Sequence, residues 1–288
     1  MAKQNLQLVI IDPQNDFCDL PDSYRPQIAG VAMSPALPVT GSHADMQRVA
    51  ALIEQGGAGL SGIAVTLDSH QRVDIAHPTF WRKGDGAAVQ PFTQITASEV
   101  RAGSYVPRDP AALQRVLNYL DALEANGRYV HMVWPVHCEI GSWGNNVHED
   151  VRRAYNRWEE ANVTQVNKVI KGSNPWTEHY SAIRAEVPDA ADEETQLNAG
   201  FLDLLRQADR IYIAGEAGSH CVKATTEHIV ENFSAADVRK LVLLTDCMSP
   251  VTGFEAQYAA FLADMKARGA TLATAAEALP QLMANAKK

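Results

Sequence analysis

Short β-branched and aliphatic runs alternate along the chain with longer amphipathic stretches, the pattern of a parallel sheet covered by helices. Strands are predicted at Leu6–Ile11, Gly62–Thr66, Tyr129–Val133, Val166–Ile170, Arg210–Ala214 and Leu241–Thr245, with a last one near Thr271–Thr274. The runs are apolar almost throughout, as strands buried on both faces are. Helices are predicted at Ala44–Gln55, Ala111–Ala125, Glu149–Ala161, Gln196–Gln207, Val222–Asn232 and Glu255–Arg268. In the second of these, Leu113, Val116, Leu117, Leu120 and Leu123 recur at helical spacing between Asp109-Pro110 and Asn126-Gly127, its start and stop signals.

Three segments interrupt this scaffold: Cys18–Ser42, Ala76–Arg108 and Cys138–Thr164, each rich in Pro, Gly or polar residues. Long irregular loops in a compact domain usually serve function, here as substrate walls or subunit contacts. No repeat or sharp change of composition divides the chain, so a single domain over residues 1–288 is expected.

The polar residues fall at telling places. Asp12 follows the first run, Asp68 and His70 the second, His137 the third, Lys171 the fourth, and Gly215–Cys221 the fifth. Ligands of open α/β sheets bind in the crevice beyond the carboxyl ends of the strands. Five polar groups from five strands are therefore expected to converge on one rim.

Composition narrows the function classes. The chain of 288 residues carries 46% hydrophobic and 20% charged residues, which suits an ordinary globular protein. A net charge of −9 leaves no basic excess for nucleic acid. There is no signal-peptide core and no run near the roughly 20 apolar residues of a membrane span, so a cytoplasmic protein without membrane contact is expected. Cys18, Cys138, Cys221 and Cys247 show no paired spacing and do not read as a disulfide framework.

Cys221 lies between a strand and a predicted helix, in Gly215-Glu216-Ala217-Gly218-Ser219-His220-Cys221. A helix amino terminus favours thiolate over the thiol, whose ordinary pKa is about 8.5. The same turn offers the N–H groups of Ala217 and Cys221 to a developing oxyanion. A buried helix-start cysteine is the plain alternative. Likewise an Asp after a strand often caps a turn, and a lone Lys is usually solvated. Together, Asp12 as base, Lys171 as cation and Cys221 as nucleophile fit acyl transfer.

Asp68 and His70, two apart on an extended segment, point to one side and can share an ion with His137. Two imidazoles and a carboxylate suit Zn²⁺, with Mn²⁺ or Fe²⁺ as alternatives. Among the remaining histidines, His77 and His148 are candidates for further site residues, while His179, His220 and His228 stay unassigned.

These residues carry a resemblance. Ile11-Asp12-Pro13-Gln14-Asn15-Asp16-Phe17, Thr66-Leu67-Asp68-Ser69-His70, Trp134-Pro135-Val136-His137-Cys138, Val169-Ile170-Lys171-Gly172 and Gly215–Thr225 resemble the isochorismatase-like cysteine hydrolases, and among them the nicotinamidases. The resemblance runs from about Leu6 to Ala273. It implies a three-layer α/β/α fold with a mostly parallel central sheet, an Asp12–Lys171–Cys221 triad and a cis peptide at Glu216–Ala217. It further implies a divalent metal on Asp68, His70 and His137, and Phe17 and Trp134 as walls of the substrate pocket. Two departures stand out: Ser69 between the metal ligands where Trp is usual, and Glu216 where a hydrophobic residue is commoner.

The expected function is metal-assisted hydrolysis of a small carboxamide, nicotinamide to nicotinate and ammonia, through a thioester, in a homo-oligomer. The alternatives are a related amidase acting on a ureido or maleamate-type amide, an oxygenase with iron on Asp68, His70 and His137, and a non-catalytic binding protein.

Overall fold

The computed structural model describes residues 2–288; Met1 lies outside them. Its centre is a six-stranded, wholly parallel sheet in the order Thr271–Ala273, Leu241–Leu244, Arg210–Gly215, Leu6–Ile11, Gly62–Asp68, Asn167–Lys171. From the first strand the chain winds outward to Gly62–Asp68 and Asn167–Lys171, then returns to build the other half from Arg210–Gly215. The reversal puts a switch point, and hence a crevice, beside the carboxyl end of Leu6–Ile11.

Side chains along a strand point alternately to opposite faces, and here both faces are covered. Leu6, Leu8 and Ile10 pack with Met46, Ile53, Trp158 and Leu282, from the helices Ser42–Gly56, Glu149–Asn162 and Ala275–Ala286. Val9 and Ile11 pack with Leu205, Val222 and Phe261, from Ala199–Arg206, Cys221–Asn232 and Glu255–Ala267. These two cores make the three layers. Each fully buried aliphatic side chain contributes about 1.5–3 kcal/mol, which is why the strand ends stay fixed while loops carry the polar groups.

The structure corrects the Tyr129–Val133 prediction. Only His131–Val133 is a strand, and it pairs antiparallel with Thr93–Ile95 outside the central sheet. Pro135, two residues on, has no N–H to continue a ladder. The side chains of Val133 and Ile95 serve a third core, with Ile75, Trp81, Val116 and Leu120. That core encloses the Ala76–Arg108 segment, which is therefore not a loose loop. Trp81–Lys83 pairs with Tyr105–Pro107, and Thr96 and Glu99 form a capping box on the short helix Ala97–Arg101.

Five of the predicted helices end within two residues of their predicted limits. The sixth starts late, at Ala199, where the Asn198 side chain accepts the N–H of Phe201. No helix is predicted after Thr274, yet Ala275–Ala286 is one, opened by a capping box between Thr274 and Glu277. No helix among the described residues is long and apolar enough to cross a membrane.

Candidate active site

The segment after the first strand organises the rim. Asp12 is fully buried with φ +43°, and its N–H donates to Thr66 Oγ1 at 3.0 Å while that hydroxyl donates to Asp12 Oδ1 at 2.5 Å. Gln14 clamps the backbone of Asp68: Nε2 donates to its carbonyl and Oε1 accepts its N–H, both at 2.7 Å. Asp16 accepts the N–H groups of Cys138 at 2.7 Å and Ala36 at 2.9 Å, tying two of the insertions to the same place. The polar run Asp12–Asp16 thus joins the ends of two neighbouring strands to the loops around them.

Lys171, the last residue of the edge strand, is buried and its ammonium is surrounded by acceptors. Nζ lies 3.0 Å from Asp12 Oδ2, 2.8 Å from Asp68 Oδ1, 3.0 Å from the His179 carbonyl and 3.7 Å from Cys221 Sγ. Gly172 follows at φ +86°, where a Cβ would come within 2.9 Å of Asp68 Oδ1. The chain leaves the strand without a side chain that would push the carboxylate off the lysine.

Cys221 opens the helix Cys221–Asn232. The Glu216–Ala217 peptide before it is cis. Among the described residues the N–H groups of Ala217 and Cys221 have no hydrogen-bond acceptor, while those of Gly218, His220 and Val222 do. Two free donors therefore stand beside the sulfur.

Charge is distributed unevenly among these groups. Burial alone would lower Lys171, but Asp12, Asp68 and Cys221 outweigh it and hold the ammonium well above its usual range. Burial and then Asp68 raise Asp12, with Lys171 and Thr66 opposing. Cys221 is pushed up well above its usual range, first by burial, with Lys171 opposing, then by Asp12 and Asp68 and a hydrogen bond to Asp12. Burial thus works against the thiolate that the helix amino terminus favours.

Asp68 extends this cluster. Its Oδ2 lies 3.0 Å from His70 Nε2 and 3.4 Å from His137 Nε2. Burial raises Asp68, but His70, Lys171 and the hydrogen bonds from His137 and His70 hold it well below the usual carboxylate range. The ligand atoms of His70, His77 and His137, all buried, lie within 4.8 Å of one another and could hold a metal ion. His77 Nε2 is 3.3 Å from His137 Nδ1, and burial with its two histidine neighbours presses His77 down to about 2, keeping it neutral as a ligand must be. His70 Nδ1 meets Asp74 Oδ2 at 3.1 Å, the carboxylate support typical behind a ligating imidazole. Burial lowers His70, but Asp68 and Asp74 outweigh it and hold it well above its usual range, so an ion bound there would displace a proton. Three imidazoles with one carboxylate fit a divalent first-row metal.

Phe17 and Trp134 line one small pocket with Cys221, Ala217, Asp68 and His137. Trp134 Nε1 donates to Tyr180 Oη at 3.0 Å, and Phe17 meets the His137 ring edge-on at 5.4 Å. Of the two further histidines singled out, His77 joins the cluster. His148 does not: it caps the helix Glu149–Asn162 and its Nε2 lies 2.8 Å from His43.

Sequence reasoning missed Thr66, Glu178 and His220. Thr66 was legible as a buried hydroxyl in an apolar strand, whereas Glu178 sits in irregular backbone with no local signal. Glu178 lines the same pocket, its Oε2 lacks a partner, and burial raises it to about 7.

No family model matches the sequence, and no curated protein matches it. Solved structures do. A nicotinamidase/pyrazinamidase of Acinetobacter baumanii aligns over 96% of this chain and 99% of its own, at 19% identity and TM-score 0.61. A pyrazinamidase of Pyrococcus horikoshii in complex with zinc covers 94% and 99%, at 18% identity and TM-score 0.52. An isochorismatase family protein from Desulfovibrio vulgaris covers 98% and 99%, at 16% identity and TM-score 0.51. The likeness is one of fold: this chain has the three-layer, isochorismatase-like architecture of those structures.

Proposed function

We propose that the chain is a metal-assisted cysteine amidohydrolase acting on a small carboxamide, with nicotinamide as the substrate. One observation carries the reading: the buried Lys171 ammonium sits 3.0 Å from Asp12 and 3.7 Å from the Cys221 sulfur, and the sulfur lines a pocket with two free N–H donors.

In this mechanism Asp12 takes the thiol proton as the sulfur adds to the amide carbon. Lys171 keeps the buried charge balanced while the proton moves. The N–H groups of Ala217 and Cys221 accept the charge that develops on the carbonyl oxygen; one such donor is typically worth about 3–4 kcal/mol. Asp12 then gives its proton to the departing nitrogen, ammonia leaves, and a thioester remains on Cys221. Asp12 next deprotonates a water that adds to the thioester, the sulfur leaves, and the carboxylate product is released.

Asp68, His70, His77 and His137 would hold a divalent ion, for which we propose zinc, with manganese or iron as alternatives. When bound, the ion supplies Lewis-acid chemistry beside the acyl group. Phe17 and Trp134 would flank a flat ring. Nicotinamide is supported by the activities for which the A. baumanii and P. horikoshii structures are named.

The test is ammonia release from nicotinamide, pyrazinamide, a ureido amide and a maleamate-type amide, with and without chelator. Nicotinamide should be cleaved fastest, and the chelator should slow it. Release confined to the ureido or maleamate-type compound would favour the related amidase. Oxygen consumption without any ammonia would favour the oxygenase.

A further inference from the structure

Glu216 is a buried acid that the mechanism above does not use. It follows Gly215 at the end of the central strand and carries the peptide whose N–H belongs to Ala217. Its side chain is fully buried, and it turns away from the substrate pocket toward the helix Ser42–Gly56. There it meets Asp45, itself only 3% exposed, and Ser249 touches both carboxyl groups.

Two carboxylates in contact in a dry site cannot both be charged. The surroundings decide which one holds the proton. Asp45 has a cation and a hydroxyl: Oδ1 lies 2.5 Å from Arg48, and Oδ2 accepts from Ser249 Oγ at 2.5 Å. Glu216 has no cation. Its Oε2 accepts only the Ser249 N–H at 3.2 Å, and its Oε1 has no partner when read as an acceptor. A proton on Glu216 lets the acid donate to Asp45 and leaves one charge where two would stand.

The other ionisable groups around the pair offer no counter-charge. Asp19 and Cys18 face it from the first insertion, Tyr258 from the helix Glu255–Ala267, and Asp246 and Cys247 from the loop after Leu241–Leu244. Arg48 is the single nearby cation among these, and it is engaged by Asp45.

We propose that Glu216 is a positioning residue: as a neutral carboxylic acid it bonds Asp45 and so fixes the turn that presents the Ala217 N–H to the substrate oxygen. The surrounding bonds explain how. The Glu216 N–H donates to the Ile11 carbonyl at 2.8 Å, and the Gly218 N–H donates to the Ser249 carbonyl at 2.7 Å. Ala217 is thus held from both sides, and Ser249 touches the acid and the turn together. The effect on turnover rests on the amide-hydrolase reading; the location of the proton does not.

The experiment compares wild type, Glu216→Gln and Glu216→Ala by ammonia release and by denaturant unfolding from pH 5 to pH 9. Gln keeps a donor and an acceptor in place, so it should retain kcat within about threefold at neutral pH. Ala should lose about tenfold or more in kcat with KM little changed, as the loss of a transition-state donor requires. Burial raises Glu216 well above the usual carboxylate range, so the folded state holds a proton that the unfolded state has released. Wild-type stability should therefore fall relative to Glu216→Gln as pH rises above the ordinary Glu value of about 4.3. Parallel unfolding curves, or a Gln variant as slow as Ala, would overturn the assignment. Diverging curves in a protein that releases no ammonia would keep the proton on Glu216 and remove the amidase reading instead.

Discussion

Asp68 and Lys171 meet at 2.8 Å, and that contact joins two groups of residues that the sequence presents as separate proposals. One oxygen of Asp68 pairs with the ammonium beside Cys221, and the other faces His70 and His137. A single carboxylate thus belongs to both the nucleophile cluster and the metal cluster. Asp68→Asn should accordingly impair two properties at once. Bound zinc should fall, and kcat should drop by roughly 10²-fold or more, because the lysine loses one of its two anions. Saturating zinc should restore metal content without restoring kcat. Full rescue by zinc would reduce Asp68 to a ligand alone.

The turn before the nucleophile depends on Gly215. Its φ is +123°, and a Cβ there would sit 2.0 Å from the Ile11 carbonyl oxygen, which is fixed backbone of the neighbouring strand. Gly215→Ala should destabilise the fold by about 3 kcal/mol or more. Urea unfolding checks this, and a loss under about 1 kcal/mol would show that the strand end can move aside.

Acid should weaken the protein through its buried histidines. His131 is only 2% exposed in the third core, its Nε2 has no partner, and burial presses it down to about 4. The unfolded imidazole takes a proton near pH 6.5 that the folded one refuses until about pH 4. The stabilisation is therefore complete above pH 6.5 and is lost as pH falls toward 4. Against the His131→Leu variant, wild type should lose on the order of 3 kcal/mol more over that interval. Parallel pH–stability curves would contradict the buried neutral imidazole.

The legible parts of the fold and site share one cause. Strands such as Leu6–Ile11 and Arg210–Gly215 are buried on both faces, so an uninterrupted apolar run betrays them and the first polar residue marks the rim. Asp12, Asp68 and Cys221 could be read for that reason, whereas Lys171 ends an edge strand whose alternate residues are exposed. His131–Val133 has the same composition but too few residues, and only its antiparallel partner reveals that it lies outside the central sheet. His77 and Glu178 sit in irregular backbone, where no periodicity announces direction, and their place was fixed only by packing of distant segments. The carboxyl-terminal helix is a different case. Its Thr274–Glu277 capping box stands in the sequence, but Pro280 inside the helix hides the pattern.

Ammonia release by the Cys221→Ala variant, beside wild type on the same amide, tests the nucleophile most directly. The expected result is a loss of roughly 10³-fold or more in kcat with the unfolding midpoint unchanged. A variant that still releases ammonia within about tenfold of the wild-type rate would contradict the mechanism, whatever the metal content of the two proteins.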